Sequence, residues 1–235
     1  MTVDPTPSVR PRRPARPTIR ALAMATVAAL AIAACSSGTA DEPIAASSQE
    51  PTGSTTTALV ASEPGRAAGY AGDVPVTFTL PGGWTNIGWA VTKGDPAFGL
   101  VFMEVGNTFT DSCPSVELDP PVGPTVDDLA SAWENLPAFA ATVPTATTVD
   151  GFAGKLVEFT VPDYDEADCA YGQFMLLRSK NSADGYWAQA PNQHHQVRIL
   201  DVDGTRVVIA ASWYPDTSAQ DRADIDKILG SIQIG

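Results

Sequence analysis

The chain has 235 residues, 44% hydrophobic and 17% charged, enough for one ordinary domain with extensions and an apolar core. Its 14 basic and 27 acidic residues leave a net charge of −13. That balance excludes a nucleic-acid partner, whose phosphates need a basic protein surface.

The charge is segregated along the chain. Before Cys35 stand five arginines (Arg10, Arg12, Arg13, Arg16, Arg20) and one acid, Asp4, so the sequence from Cys35 onward carries a net charge of −17. Such a surface keeps an exported protein soluble, is repelled by anionic headgroups and attracts cations or basic partners.

Residues 21–34, ALAMATVAALAIAA, are free of charge. At ~1.5 Å per residue this run reaches roughly 21 Å, short of the ~30 Å hydrocarbon core of a bilayer. A basic segment, a short apolar run and small residues at its end predict a secretory signal peptide over 1–34. The closing Ile32-Ala33-Ala34-Cys35 looks like a bacterial lipobox, an aliphatic and two small residues before a cysteine. The resemblance implies cleavage before Cys35 and a diacylglyceryl thioether on it. Two acyl chains hold durably where one does not. The expected location is the extracytoplasmic face of the cell membrane. Residues 35–73, rich in Ser, Thr, Ala, Pro and Gly, then predict a flexible tether.

The folded domain is expected over 74–235. VPVTFTL (74–80) alternates like a half-buried strand and stops at Pro81-Gly82-Gly83. Trp84 to Val91 reads as a second strand, FGLVFMEV (98–105) as a third, and 106–124 as a long Pro-rich loop. Thr125 with Asp128 forms a capping-box-like start to a helix whose apolar face is Leu129, Ala132, Trp133 and Leu136. Strands follow at 145–149 and 154–161, separated by Asp150-Gly151, and at 196–202 and 205–213. Asp203-Gly204 between the last two is a strong hairpin signal. Val207, Ile209, Ala211 and Trp213 share one face of the final strand. Ser218 with Asp221 starts a last helix, and Ile225, Ile228, Leu229 and Ile232 form the stripe that docks it.

Strands, helix, strands, helix predict an α+β fold, an antiparallel sheet with two main helices packed on it. That order, the "LPGGW" entry and the closing "DVDGTRVVIAASWYP…DRADIDKILGSIQI" resemble the PsbP-like domains of actinobacterial secreted lipoproteins over roughly 73–235. The resemblance implies a non-enzymatic module that engages an envelope protein or a small ligand, with no cofactor. The Pro-rich loop carrying Cys113 departs from the family's pattern.

With Cys35 assigned to lipid, Cys113 and Cys169 remain, and an oxidising exterior makes their disulfide the natural expectation; two separately buried thiols are the alternative. A bridge joins a loop with Asp111, Glu117 and Asp119 to one with Asp163, Asp165, Glu166 and Asp168. Converging carboxylates suit a hard cation, so Asp111, Asp163, Asp165 and Asp168 are the metal candidates, against a hydrated acidic rim. His194 and His195 are adjacent on a strand and point to opposite faces, which disfavours joint chelation. No nucleophile elbow, zinc-protease motif or phosphate loop occurs, so no catalytic residue is assigned. An envelope hydrolase using paired carboxylates is the alternative function. Trp84, Trp89, Tyr186, Trp187 and Tyr214 lie near strand ends, where a sugar or apolar ligand would meet them.

Overall fold

A computed structural model describes residues 65–180 and 182–235. The signal segment 1–34, Cys35 and the tether up to residue 64 lie outside the described residues. The first described element is a strand within the stretch expected to be tether. Strand β1 (Gly65–Ala71) pairs antiparallel with β2 (Val74–Leu80), in register from Gly65↔Leu80 to Ala71↔Val74. The described fold therefore starts nine residues before the expected boundary at 74. GRAAGYA has little intrinsic strand character; pairing makes it a strand. The hairpin closes through Gly72-Asp73, with Gly72 at φ +63°. In β2, Val76, Phe78 and Leu80 are buried, as the alternation required.

The expected strand Trp84–Val91 is a short hairpin instead, β3 (Thr85–Asn86) and β4 (Ala90–Lys93), broken where Gly88 takes φ +88°. Strand β5 (Phe98–Asp111) continues past its expected end and takes up the first part of the predicted loop. A turn then leads back into β6 (Val116–Glu117) on the same strand. Polar side chains concealed this extension from the alternation rule. Asn107 and Thr108 are buried because they are bonded, Asn107 Nδ2 to the Leu118 carbonyl at 3.0 Å and Thr108 Oγ1 to the Leu176 carbonyl at 2.9 Å.

Helix α1 (Val126–Asn135) starts with a complete capping box between Thr125 and Asp128 and buries Leu129, Ala130 and Trp133. Strands β7 (Thr145–Val149) and β8 (Phe152–Thr160) form a hairpin through Asp150 and Gly151, both at positive φ. After two short 3₁₀ turns come β9 (Phe174–Ser179), β10 (Gly185–Ala188), β11 (His194–Val202) and β12 (Thr205–Trp213). Asp203 and Gly204 make the turn between the last pair, at φ +50° and +84°. Helix α2 (Ala219–Gly230), capped by Ser218, and β13 (Gln233–Ile234) complete the fold.

The large antiparallel sheet runs β10-β9-β5-β12-β11-β8-β7, and a smaller one runs β1-β2-β13. The fold is mostly antiparallel sheet, with the two helices a minor part. Alternation along β12 divides two cores. Val207, Ile209, Ala211 and Trp213 meet β2 and α2 residues on one face, whereas Val208 and Ala210 meet Leu129 and Trp133 of α1 on the other. Arg206 joins β5 to the start of α1. It is 7% exposed, and its guanidinium donates to the carbonyls of Gly123, Thr125 (3.1 Å), Val105 (3.0 Å) and Gly106 (3.3 Å).

A candidate ligand cleft at the fork of the sheet

Strand β5 changes partner along one edge. Phe98 to Val101 pair with β4, and Val105 to Thr108 pair with β9. Around Val101 to Glu104 the sheet forks, and a cleft opens there. Its larger part, about 460 Å³, is lined by Tyr70, Trp89, Met103, Glu104, Asp184 and Trp187 among others. A smaller part of about 180 Å³ reaches Ala97, Phe98, Gln189 and Ser212. Trp89, Val101, Gly185, Tyr186 and Trp187 line both.

One wall is the tip of the β3–β4 hairpin, held against β1. Asn86 Nδ2 donates to the Ala68 carbonyl and Asn86 Oδ1 accepts from Gly88 N–H, each at 2.9 Å. The Tyr70 N–H donates to the Gly88 carbonyl at 3.1 Å. Contact this close needs glycine on both sides. A Cβ on Gly69 would stand 2.2 Å from the Gly88 carbonyl oxygen, and one on Gly88 would stand 2.5 Å from the Tyr70 ring. The tip thus presents Trp89, 42% exposed, beside Tyr70, 49% exposed. The opposite wall is β10, whose register shifts between Tyr186 and Trp187. Such a bulge re-aims side chains, and here consecutive aromatics both line the cleft.

Beneath the apolar walls runs a buried polar chain. Gln193 Nε2 donates to the Ala97 carbonyl at 3.1 Å and to Ser212 Oγ at 3.2 Å, while Gln193 Oε1 accepts from Gln189 N–H. The Tyr186 phenol meets His195 Nδ1 at 3.4 Å. Burial raises the Tyr186 phenol, against the lowering effect of Ser212. His195 is pushed down to about 3, chiefly by burial and secondarily by His194. Its ring stacks on Phe159 at 4.8 Å, and its Nε2 has no partner among the described residues.

The five aromatics expected near a ligand divide. Trp84 is in the core, edge-on to Phe98 at 5.7 Å, and Tyr214 is half-buried elsewhere, its phenol raised to about 12, mainly by burial. Trp89, Tyr186 and Trp187 meet in the cleft. Tyr70 lies in a stretch whose composition predicts a tether, although Gly-Asp before VPVTF is itself a hairpin signal. Gln193 and Ser212 left no sequence signal beyond their placement on or beside strands. His194 lies across the sheet from His195, against Trp213 and Thr160.

Cys113 and Cys169 are disulfide-bonded. Three of the acids on the two loops are engaged separately. Asp163 accepts from Asn192 at 3.1 Å, Asp165 caps Ala167 N–H at 2.9 Å, and Glu117 pairs with Arg178. Among the described residues no three His, Cys, Asp or Glu side chains are grouped as a metal site requires, so Asp111, Asp163, Asp165 and Asp168 do not form a ligand set. No helix among the described residues is long and apolar enough to cross a membrane.

No family model matches the chain, and no curated protein matches it. Among solved structures, the solution structure of a cyanobacterial PsbP (CyanoP) from Synechocystis sp. is similar at a TM-score of 0.35 and 14% identity, covering 79% of this chain and 100% of that one.

Proposed function

We propose that this chain is a membrane-anchored, extracytoplasmic lipoprotein whose domain is a non-enzymatic ligand-binding module, with its ligand seated in the cleft shared by Trp89 and Trp187. The carrying observation is the contrast among the tryptophans. Trp84, Trp133 and Trp213 each meet another ring, whereas Trp89 and Trp187 have no ring contact among the described residues and share an apolar cleft. Ligand pockets are typically ~300–1,000 Å³ of mostly apolar wall with a few polar groups, and the larger part of this cleft, about 460 Å³, lies in that range. The order strands, helix, strands, helix supports a PsbP-like reading of the domain. The basic leader, apolar run and Ile32-Ala33-Ala34-Cys35 support the anchor.

The competing hydrolase needs two cooperating carboxyls. Glu104 and Asp184 both line the cleft, but Lys180 holds the Glu104 carboxylate in an ion pair. Binding is the better reading of these walls. Native mass spectrometry of the full chain from its own cells tests it. The wild type is expected to carry a small-molecule adduct that Trp89→Ala/Trp187→Ala loses, and retention by the double variant would reject the cleft. Mass analysis of the mature amino terminus tests the anchor; an unmodified Cys35 would reject it.

A further inference from the structure

We propose that the cleft selects an organic cation carrying an apolar body, a quaternary ammonium or similar group, with Tyr70, Trp89 and Trp187 as its aromatic walls and Asp184 as its counter-charge. This inference rests on the ligand-binding reading above and names the ligand's class.

Three rings elsewhere in the fold are covered by the chain's own cations. Lys93 lies over Trp84 at 5.7 Å, Arg178 over Phe109 at 5.2 Å and Arg222 over Trp213 at 3.8 Å. None of the three cleft rings has such a cover or stacks on another ring among the described residues. The face of an indole or phenol ring is electron-rich and attracts a cation within about 6 Å, most strongly where water is displaced. Three rings from three separate elements, β1, the β3–β4 tip and β10, line this one cleft.

Charge points the same way. The Glu104 carboxylate is taken by Lys180, which leaves Asp184, exposed at the rim and bonded through Oδ2 to the neutral hydroxyl of Ser182 at 3.2 Å. The polar charge at the cleft is therefore one net negative, on a chain whose own net charge is −13. Such a field concentrates cations and disfavours anions. A neutral apolar ligand would make no use of Asp184, and an anionic one would oppose it.

The test is calorimetric titration of the full chain with benzyltrimethylammonium, with neopentylbenzene as its uncharged isostere, and with benzylsulfonate. The cation is expected to bind at least about tenfold more tightly than the isostere, and the anion not measurably. Trp89→Leu and Trp187→Leu keep the walls apolar but remove the π faces. Each is expected to lower cation affinity several-fold while leaving the isostere nearly unchanged, and Asp184→Asn to lower cation affinity about two- to fivefold with a weaker salt dependence. An isostere that binds as tightly as the cation, or cation affinity indifferent to both leucine variants, would overturn the cation inference and leave the ligand-binding reading standing. No binding by the two salts at millimolar concentration would overturn the cation inference, and the absence of any adduct on the protein from its own cells would overturn the ligand-binding reading with it.

Discussion

The phenol of Tyr186 meets Nδ1 of His195 at 3.4 Å, joining the floor of the cleft to a histidine that is 1% exposed. A phenol donating to Nδ1 leaves the imidazole hydrogen on Nε2, which has no acceptor among the described residues. A proton added to this ring would enter a site built from Phe159 and Tyr186, with only the His194 ring as a further titratable neighbour acting on it.

Stability should therefore depend on His195 in mild acid. Its folded pKa, lowered to about 3, lies below the ordinary value of 6.5, so the unfolded chain binds the extra proton first. Stability is full above 6.5 and falls as pH drops from 6.5 toward 3. Linkage gives a loss of about 2 kcal/mol between pH 7 and pH 5. Urea denaturation at the two pH values checks it. His195→Phe should remove most of the difference, and an unchanged difference would place it on other groups.

The tryptophans should separate cleanly by role. Trp133 packs on Phe139 and Phe159 and donates through Nε1 to Thr108 Oγ1 at 2.6 Å. Trp133→Ala should cost about 3–5 kcal/mol in chemical denaturation. Trp89→Ala, at an exposed hairpin tip, should change stability by no more than about 0.5 kcal/mol. Equal losses would mean that Trp89 serves packing.

Much of this architecture was legible in the sequence because local chemistry and tertiary context agree. The turns Asp150-Gly151 and Asp203-Gly204, the Thr125/Asp128 box and the Ser218 cap all appear where expected. β12 spans the expected residues, with Val207, Ile209, Ala211 and Trp213 in one core. The elements hidden from the sequence are those that depend on a partner rather than on their own residues. β1 has few apolar side chains and is held by β2 and by the approach of Gly69 to Gly88. The far end of β5 is polar yet buried, because its side chains are bonded to carbonyls distant in sequence.

The same limit explains what was seen of the site. Position near strand ends marks Trp89, Tyr186 and Trp187 as candidates, but also Tyr214, which lies elsewhere, and Trp84, which is wholly buried. Strand alternation cannot show that β5 exchanges β4 for β9, and the cleft exists because of that exchange.

Arg206 offers a third test. It is the shared donor for four backbone carbonyls at the join between β5 and α1. Arg206→Met should destabilise by about 3 kcal/mol, because carbonyls lose a charged donor in a buried setting. Arg206→Lys should recover only part of that, since one ammonium cannot reproduce the fork. Full recovery by lysine would reduce the role of Arg206 to charge alone.

The disulfide joins residues 56 apart in sequence and should act mainly on the unfolded chain. Cys113→Ala/Cys169→Ala should lower unfolding free energy by roughly 4 kcal/mol in the chain-entropy account. Thermal and urea unfolding of the oxidised chain and the double variant check this. Ligand affinity should stay unchanged in the folded double variant, because neither cysteine lines the cleft.

The most direct measurement places a photoreactive benzoylphenylalanine at position 182, an exposed rim position of the cleft that leaves its aromatic walls intact, in the full chain in its own cells, with a second chain carrying it at Tyr171, 95% exposed and outside the cleft. Irradiation followed by intact-mass analysis should give a discrete small-molecule adduct at position 182 that is absent at position 171. Equal adducts at both positions, or none at 182, would contradict a ligand site in this cleft.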